Sequence, residues 1–168
     1  EVRPEDLAQY LTPGKKAPQG WLLHIPTVYF GIATAAYEEA LTFATHYAPN
    51  SISSGTIAQF PAVQQKVGQM RLLLLEMESF LFNTAKEWDR STDQERYALG
   101  ELLSAVKVST VNKAIMVVDL AMRLVGARSL SRSNPLQRYY RDVRAGLHNP
   151  PMEDMVITQL AKRALNLP

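Results

Sequence analysis

The sequence from Pro61 to Trp88 reads PAVQQKVGQMRLLLLEMESFLFNTAKEW, and its apolar residues fall at Val63, Val67, Met70, Leu74, Met77, Leu81, Ala85 and Trp88. Steps of three and four place them all on one stripe of an α-helix. Proline suits the first position, because its missing N–H has no intrahelical partner there. A second face carries Leu73, Phe80 and Phe82, so this helix is expected to be covered on more than one side, at the centre of a bundle or at a subunit contact.

Working outward, the segment from Pro26 through Ala48 is alanine-rich with apolar residues at helical spacing, and Pro49-Asn50 stops it. Asn50 to Thr56 reads as a Ser/Gly loop. Beyond Trp88, Asp89 to Asp93 interrupts the pattern and Thr92 with Glu95 has the spacing of a capping box. One further helix is predicted from there to about Val125, on Leu103, Val106, Val111, Ile115, Val118, Met122 and Val125, with Gly126 placed to end it.

Ser129 to Asn134 is polar, and Pro135 can open a short helix through about Val143. Gly146 to Pro151 reads as a rigid turn, and a last amphipathic helix uses Met152, Met155, Val156, Leu160 and Leu165. At the other end a short helix is expected over Pro4 to Leu11, followed by breakers at Pro13, Gly14, Pro18 and Gly20. No stretch alternates as a strand does, and no repeat is visible. The expected fold is all-α, an antiparallel up-and-down helical bundle, with residues 1–20 a linker or arm from a preceding domain and 21–168 a four-helix-bundle-like C-terminal domain.

A chain of 168 residues, 46% of them apolar, has the size and composition of one globular domain. No uninterrupted apolar run approaches the roughly 18 residues of a spanning helix, since Leu72 to Leu75 is fenced by Arg71 and Glu76. Membrane insertion is therefore not expected. The first residues lack the pattern of a secretory signal, so a cytoplasmic protein is the expectation. Without cysteine, disulfides, thiolate metal sites and a cysteine nucleophile are excluded. A net charge of +2 gives no reason to expect a nucleic-acid partner, although arginines thicken from Arg123 to Arg144.

His24, His46 and His148 have no metal-ligand spacing, and no metal site is expected. Gly14-Lys15-Lys16 lacks the rest of a phosphate loop. Ser51, Ser53, Ser54, Ser129, Ser131 and Ser133 sit in loops without a nucleophile-elbow sequence and read as turn and cap residues. His24 and His46 read as structural imidazoles beside the first long helix. His148 differs, because the run Arg141-Asp142-Val143-Arg144-Ala145-Gly146-Leu147-His148-Asn149-Pro150-Pro151-Met152-Glu153-Asp154 fixes it between helices with a glycine and two prolines. An imidazole on such a loop either lines a ligand site, where it can exchange a proton near neutral pH, or serves as a turn residue.

Three blocks resemble the C-terminal domain of the acyl-CoA dehydrogenases and the related flavin monooxygenases, over about Gly20 to Leu165. The first is Ile25-Pro26-Thr27-Val28-Tyr29-Phe30-Gly31-Ile32-Ala33-Thr34-Ala35-Ala36, continuing through Glu39-Ala40 to Tyr47-Ala48. The second, Ile57-Ala58-Gln59-Phe60-Pro61-Ala62-Val63-Gln64, is similar to the family's "PI..FQ.VQ..LA.M" segment. The third pairs Lys107, Ala121, Arg123 and Gly126 with Pro135 and Arg141-Asp142, in the order of the family's "AxQxxGGxGF" stretch and the "RD" after it.

The resemblance implies an oxidoreductase whose N-terminal helical and middle β domains hold most of a flavin. FAD is the implied cofactor, with FMN the alternative, and this bundle would close the site and build a homodimer or homotetramer. It implies Arg123, Gly126, Asn149 and Met152 as cofactor-binding positions. The substrate would be an acyl-CoA or another small molecule. The isolated domain is expected to be inactive.

Departures bear on mechanism. Many acyl-CoA dehydrogenases abstract the α-proton with a glutamate shortly after the "RD", and counted without a gap that position is Pro150. The alternative position on the first helix falls near Trp21, which is no carboxylate either. Dehydrogenation of an acyl thioester then needs its base from elsewhere, Glu153 or Asp154 after a local shift. The rival is a hydroxylase or N-oxygenase of the same fold, with His148 acting as the acid in flavin–oxygen chemistry. A helical interaction module without flavin stands as a third reading.

Overall fold

A computed structural model describes residues 20–51 and 55–167. The helix expected over Pro4 to Leu11, the breakers Pro13, Gly14 and Pro18, and Ser53 and Ser54 lie outside the described residues. Among the described residues six α-helices carry the fold: α1 (His24–His46), α2 (Pro61–Arg90), α3 (Asp93–Ala98), α4 (Gly100–Val125), α5 (Leu136–Arg144) and α6 (Glu153–Ala164). Among the described residues there is no strand.

Side-chain pairs fix the directions of the helices. Phe30 of α1 meets Phe82 of α2 edge-on with centroids 6.0 Å apart, and Glu76 of α2 meets Lys113 of α4 at 2.7 Å. Phe30 is early in α1 and Phe82 late in α2, while one groove sets Gln69 and Leu72, early in α2, beside Leu120 and Arg123, late in α4, so α1, α2 and α4 run up, down and up. The chain then descends: Asn134, just before α5, reaches Glu39 near the top of α1, whereas Asn149, just after it, bonds Tyr29 near the bottom. Helix α6 continues that descent, with Glu153 on Asn112 and Arg163 paired with Glu101. Together α5 and α6 form the fourth rod of an up-and-down bundle, broken midway.

Small residues bring α1 and α4 close. Ala33, Ala36, Ala40 and Ala44 are all but fully buried, against a core to which α4 contributes Val111, Ala114, Val117, Val118 and Ala121. Helix α4 is buried on several faces and is the central element. The central place is one of the two expected for α2, which instead buries one stripe, Met70, Leu74, Met77, Leu81 and Thr84. Of the second face of α2, Leu73 and Phe80 are half-buried and Phe82 is 44% exposed, and Leu72 and Leu75 are also exposed within this chain. The β-branched and alanine-rich composition of α4 explains the exchange, because small, stiff side chains allow neighbours to approach from several directions.

The helix expected to run unbroken from the Thr92 cap to Val125 is two helices. The capping box is present, with Thr92 N–H donating to Glu95 at 2.7 Å and Glu95 N–H returning to the Thr92 hydroxyl. At Leu99 the N–H donates to Arg96 carbonyl three residues back, and the α pattern restarts with Leu103 N–H on Leu99 carbonyl. Gly100, the poorest helix former after proline, sits at this step. Gly126 ends α4 as expected, at φ +71°. Gly20, expected in the linker, opens a packed 3-10 turn (Gly20–Leu23) whose Leu22 is buried.

Candidate functional site

The break in the fourth rod, residues 145–152, is built by constraints from three sides. Arg144 closes α5 with its guanidinium on Asp119 of α4 at 2.9 Å and over the Tyr140 ring at 3.5 Å. A 3-10 turn (Ala145–Leu147) comes next, and Gly146 is buried where a Cβ would lie 2.8 Å from Val111 Cγ1 and 3.0 Å from the Tyr29 ring. Only glycine lets the backbone come that near.

The same backbone is then tied down by polar groups. Lys107 of α4 has 1% of its surface exposed, and its Nζ donates to the Gly146 carbonyl at 2.9 Å. Burial pushes the Lys107 amine below its ordinary range, while the carboxylate of Glu153 pushes it back up. Asn149 Nδ2 donates to the Tyr29 hydroxyl at 2.9 Å. Burial raises the Tyr29 phenol and the bond from Asn149 opposes the rise. Asn112 Nδ2 donates to Glu153 at 2.8 Å, fastening the first turn of α6 to α4. The Pro150-Pro151 peptide bond is cis.

Between these ties stands His148, whose N–H donates to Ala145 carbonyl and whose side chain is exposed. Beside it a shallow groove is lined by Leu147, Met152, Glu153, Asp154, Ile157 and Thr158. Met152, the residue before α6, is 43% exposed there. His148 itself does not line the groove, but its chain neighbour Leu147 does, and an exposed imidazole with no side-chain partner among the described residues can give or take a proton at a bound molecule. The carboxylates are less free, since Glu153 accepts from Asn112 and Asp154 accepts from the Met155 N–H at 2.8 Å.

The expected site residues are not all brought together. His148, Asn149 and Met152 cluster at the break, with Asn149 turned inward to Tyr29. Arg123 lies twelve residues beyond Val111 along α4, roughly 18 Å at the helical rise. It edges a different groove, with Gln69, Leu72, Leu73, Met116, Asp119 and Leu120 from α2 and α4. Gly126 is exposed near that end, with open space around it. Among the thickened arginines, Arg128 stacks over Tyr47 at 4.4 Å, and Arg144 is paired with Asp119.

Structural roles fall where expected for several other residues. His46 bonds Thr42 carbonyl through Nδ1 at 2.8 Å, Ser129 bonds Gly126 carbonyl, and Ser131 and Ser133 bond each other. In the sequence Lys107 enters only as a point of family resemblance. Its burial had a signal: Leu103, Lys107, Val111, Ala114 and Val118 share one helical stripe, so a lysine stands where the pattern calls for an apolar residue. Tyr29 and Asn112 carried no comparable signal.

Residues 24–147 match the family description "Acyl-CoA dehydrogenase, C-terminal domain". The chain is 54% identical over 152 residues to the acyl-CoA dehydrogenase-like protein YdbM of Bacillus subtilis (strain 168), a match covering 90% of this chain and 39% of that protein. Its fold is similar to that of an acyl-CoA dehydrogenase-like protein from Mycobacterium abscessus, with TM-score 0.78 at 18% identity over 95% of this chain and 39% of the other. It is also similar to nitroalkane oxidase crystallised with spermine, a competitive inhibitor, with TM-score 0.74 at 20% identity over 87% of this chain and 33% of the other. The chain thus spans about 39% of the curated relative it matches. It belongs to the acyl-CoA dehydrogenase family, in which it corresponds to the C-terminal helical domain.

Proposed function

We propose that this chain closes the flavin site of an oxidoreductase that dehydrogenates an acyl thioester between its α and β carbons, with FAD the flavin and FMN the alternative. Preceding helical and β domains of the same polypeptide complete the site, and the assembly is a homodimer or homotetramer in the cytoplasm. Residues 21–168 are the C-terminal unit and 1–20 its tether. The observation that carries the reading is the break in the fourth rod, where a tightly tied backbone presents an exposed imidazole beside an apolar groove.

The donor set fits a flavin nucleotide at its edge. Arg123 offers an exposed guanidinium at the rim of an apolar groove, which suits a phosphate with an adenine or ring edge beside it. The bound flavin would supply the hydride acceptor. The α-proton must go to a group of this protein. Pro150 cannot take it, but neutral His148 has a ring nitrogen free to accept it, and Met152 with Leu147 gives the acyl chain an apolar wall.

Anaerobic titration of the full-length oxidised protein with acyl-CoA thioesters of several chain lengths tests this. The visible flavin absorption is expected to bleach with wild type and to persist with His148→Ala. A full-length protein that carries no flavin and binds none when it is added contradicts the reading and favours the interaction module.

A second reading has its own support. With proline at the usual glutamate position and Glu153 engaged by Asn112, the best available proton carrier is a histidine, and a histidine suits a flavin-dependent hydroxylase or N-oxygenase. Stopped-flow mixing of the reduced protein with oxygen separates the two. A long-lived absorbance transient that shortens on His148→Ala, with no bleaching by any thioester, favours the oxygenase.

A further inference from the structure

We infer that Lys107 is a positioning residue for His148, acting from inside the bundle through the carbonyl of Gly146. The inference rests on the reading that the loop at the break faces the reacting centre, and it holds for either chemistry proposed there. Lys107 touches neither the groove nor His148 itself, so it is no catalytic residue.

A buried ammonium is among the costliest groups a helical core can hold, and here the core holds it with one hydrogen bond and one carboxylate at a distance. Methionine has nearly the same length and would fill the space without that cost. What methionine lacks is a donor for the Gly146 carbonyl. That carbonyl cannot be paired by regular helix, because α5 has ended and the 3-10 turn occupies only Ala145 to Leu147. Lys107 therefore replaces the missing backbone donor at the one point where the fourth rod is interrupted.

That bond lies two residues before the imidazole. Gly146 is fixed by Lys107 and Asn149 by Tyr29, and His148 lies between those two ties. Both anchoring side chains come from helices packed in the centre of the bundle, so the imidazole inherits their rigidity. If the Gly146 tie is lost, the turn still has its local His148–Ala145 bond, but the stretch between the Arg144–Asp119 pair and the Asn149–Tyr29 bond loses its polar tie to the core. A misplacement of about 1 Å is enough to cost roughly 100-fold in rate.

The test uses the full-length protein and Lys107→Met, with His148→Ala and the double variant. Amide exchange at Leu147, His148, Asn149 and Met152 is expected to rise in Lys107→Met while α1, α2 and α4 keep their protection and the flavin stays bound. With a substrate found by the thioester or oxygen experiments, kcat is expected to fall roughly 10- to 100-fold with KM little changed. The double variant should then be no slower than His148→Ala alone, because both substitutions remove the same event.

Unchanged exchange at the loop overturns the inference, and so does a double variant in which the two losses multiply. If His148→Ala leaves turnover intact, the site assignment fails, and the exchange experiment alone decides whether Lys107 holds the loop. Should Lys107→Met not fold, Lys107→Leu, which also lacks a donor for the Gly146 carbonyl, is measured in the same way with the same expected and overturning results.

Discussion

Tyr29 of α1 closes on Gly146, 117 positions later in the chain, so tightly that a Cβ on the glycine would stand 3.0 Å from two carbons of the phenol ring. The close approach is what lets the loop at the break lie against the core. Gly146→Ala is therefore expected to cost about 1–3 kcal/mol by overpacking. Gly126→Ala supplies the contrast, since nothing lies within 4 Å but φ is +71° and ψ −150°, a region essentially restricted to glycine, and its cost of roughly 1–3 kcal/mol is backbone strain alone. Urea unfolding measures both, and only Gly146→Ala should also loosen amide exchange around His148.

Lys107 makes stability depend on pH through a buried amine. That amine is held below its ordinary value of 10.5 in the folded protein, so over the interval between the two values the unfolded chain binds the extra proton and folding gains as pH rises. The stability of wild type relative to Lys107→Met is expected to increase as pH rises towards the ordinary lysine value of 10.5. The contribution of Tyr29, raised by burial, is common to both proteins and cancels in the difference. A difference that stays flat across that range contradicts the assignment.

Thr92 caps α3 through a reciprocal pair of bonds with Glu95. Thr92→Ala removes the acceptor for Glu95 N–H and is expected to cost about 1 kcal/mol. The Thr92 backbone N–H, and after it the Thr92 hydroxyl, hold the Glu95 carboxyl below the usual carboxylate range; the backbone bond survives in Thr92→Ala, so only the share of the hydroxyl should fade from the difference as pH falls through that lowered value. Chemical denaturation of wild type and Thr92→Ala at neutral and acidic pH checks both statements.

Arg123 stands exposed at the rim of the groove between α2 and α4. If it meets a flavin phosphate, Arg123→Ala should weaken flavin retention by roughly 10- to 100-fold, the loss of one charge-assisted hydrogen bond. Arg128→Ala, which removes a guanidinium stacked on Tyr47, should leave retention unchanged. Equilibrium dialysis of the two full-length variants provides the comparison.

Much of the architecture was legible because helical periodicity and its stop signals are local. Pro61, the Thr92–Glu95 box and Gly126 mark boundaries that the structure keeps. The break at Leu99 was not legible, since one glycine inside a periodic stretch is usually tolerated. Nor was the centrality of α4, because the apolar width of a helix does not reveal which neighbours will cover it. At the candidate site, glycine and paired prolines marked the loop around His148, but its ties to Tyr29, Lys107 and Asn112 join residues far apart in the chain. Such contacts leave no periodic trace. Only the lysine within the buried stripe of α4 pointed inward.

A crystal structure of the full-length protein with its flavin tests the central claim most directly. The expected result places the His148 ring within one side chain or one bridging water of the reacting edge of the flavin, with the Lys107–Gly146 and Asn149–Tyr29 bonds intact. A structure in which the loop at residues 145–152 faces bulk solvent, away from every flavin in the assembly, contradicts it.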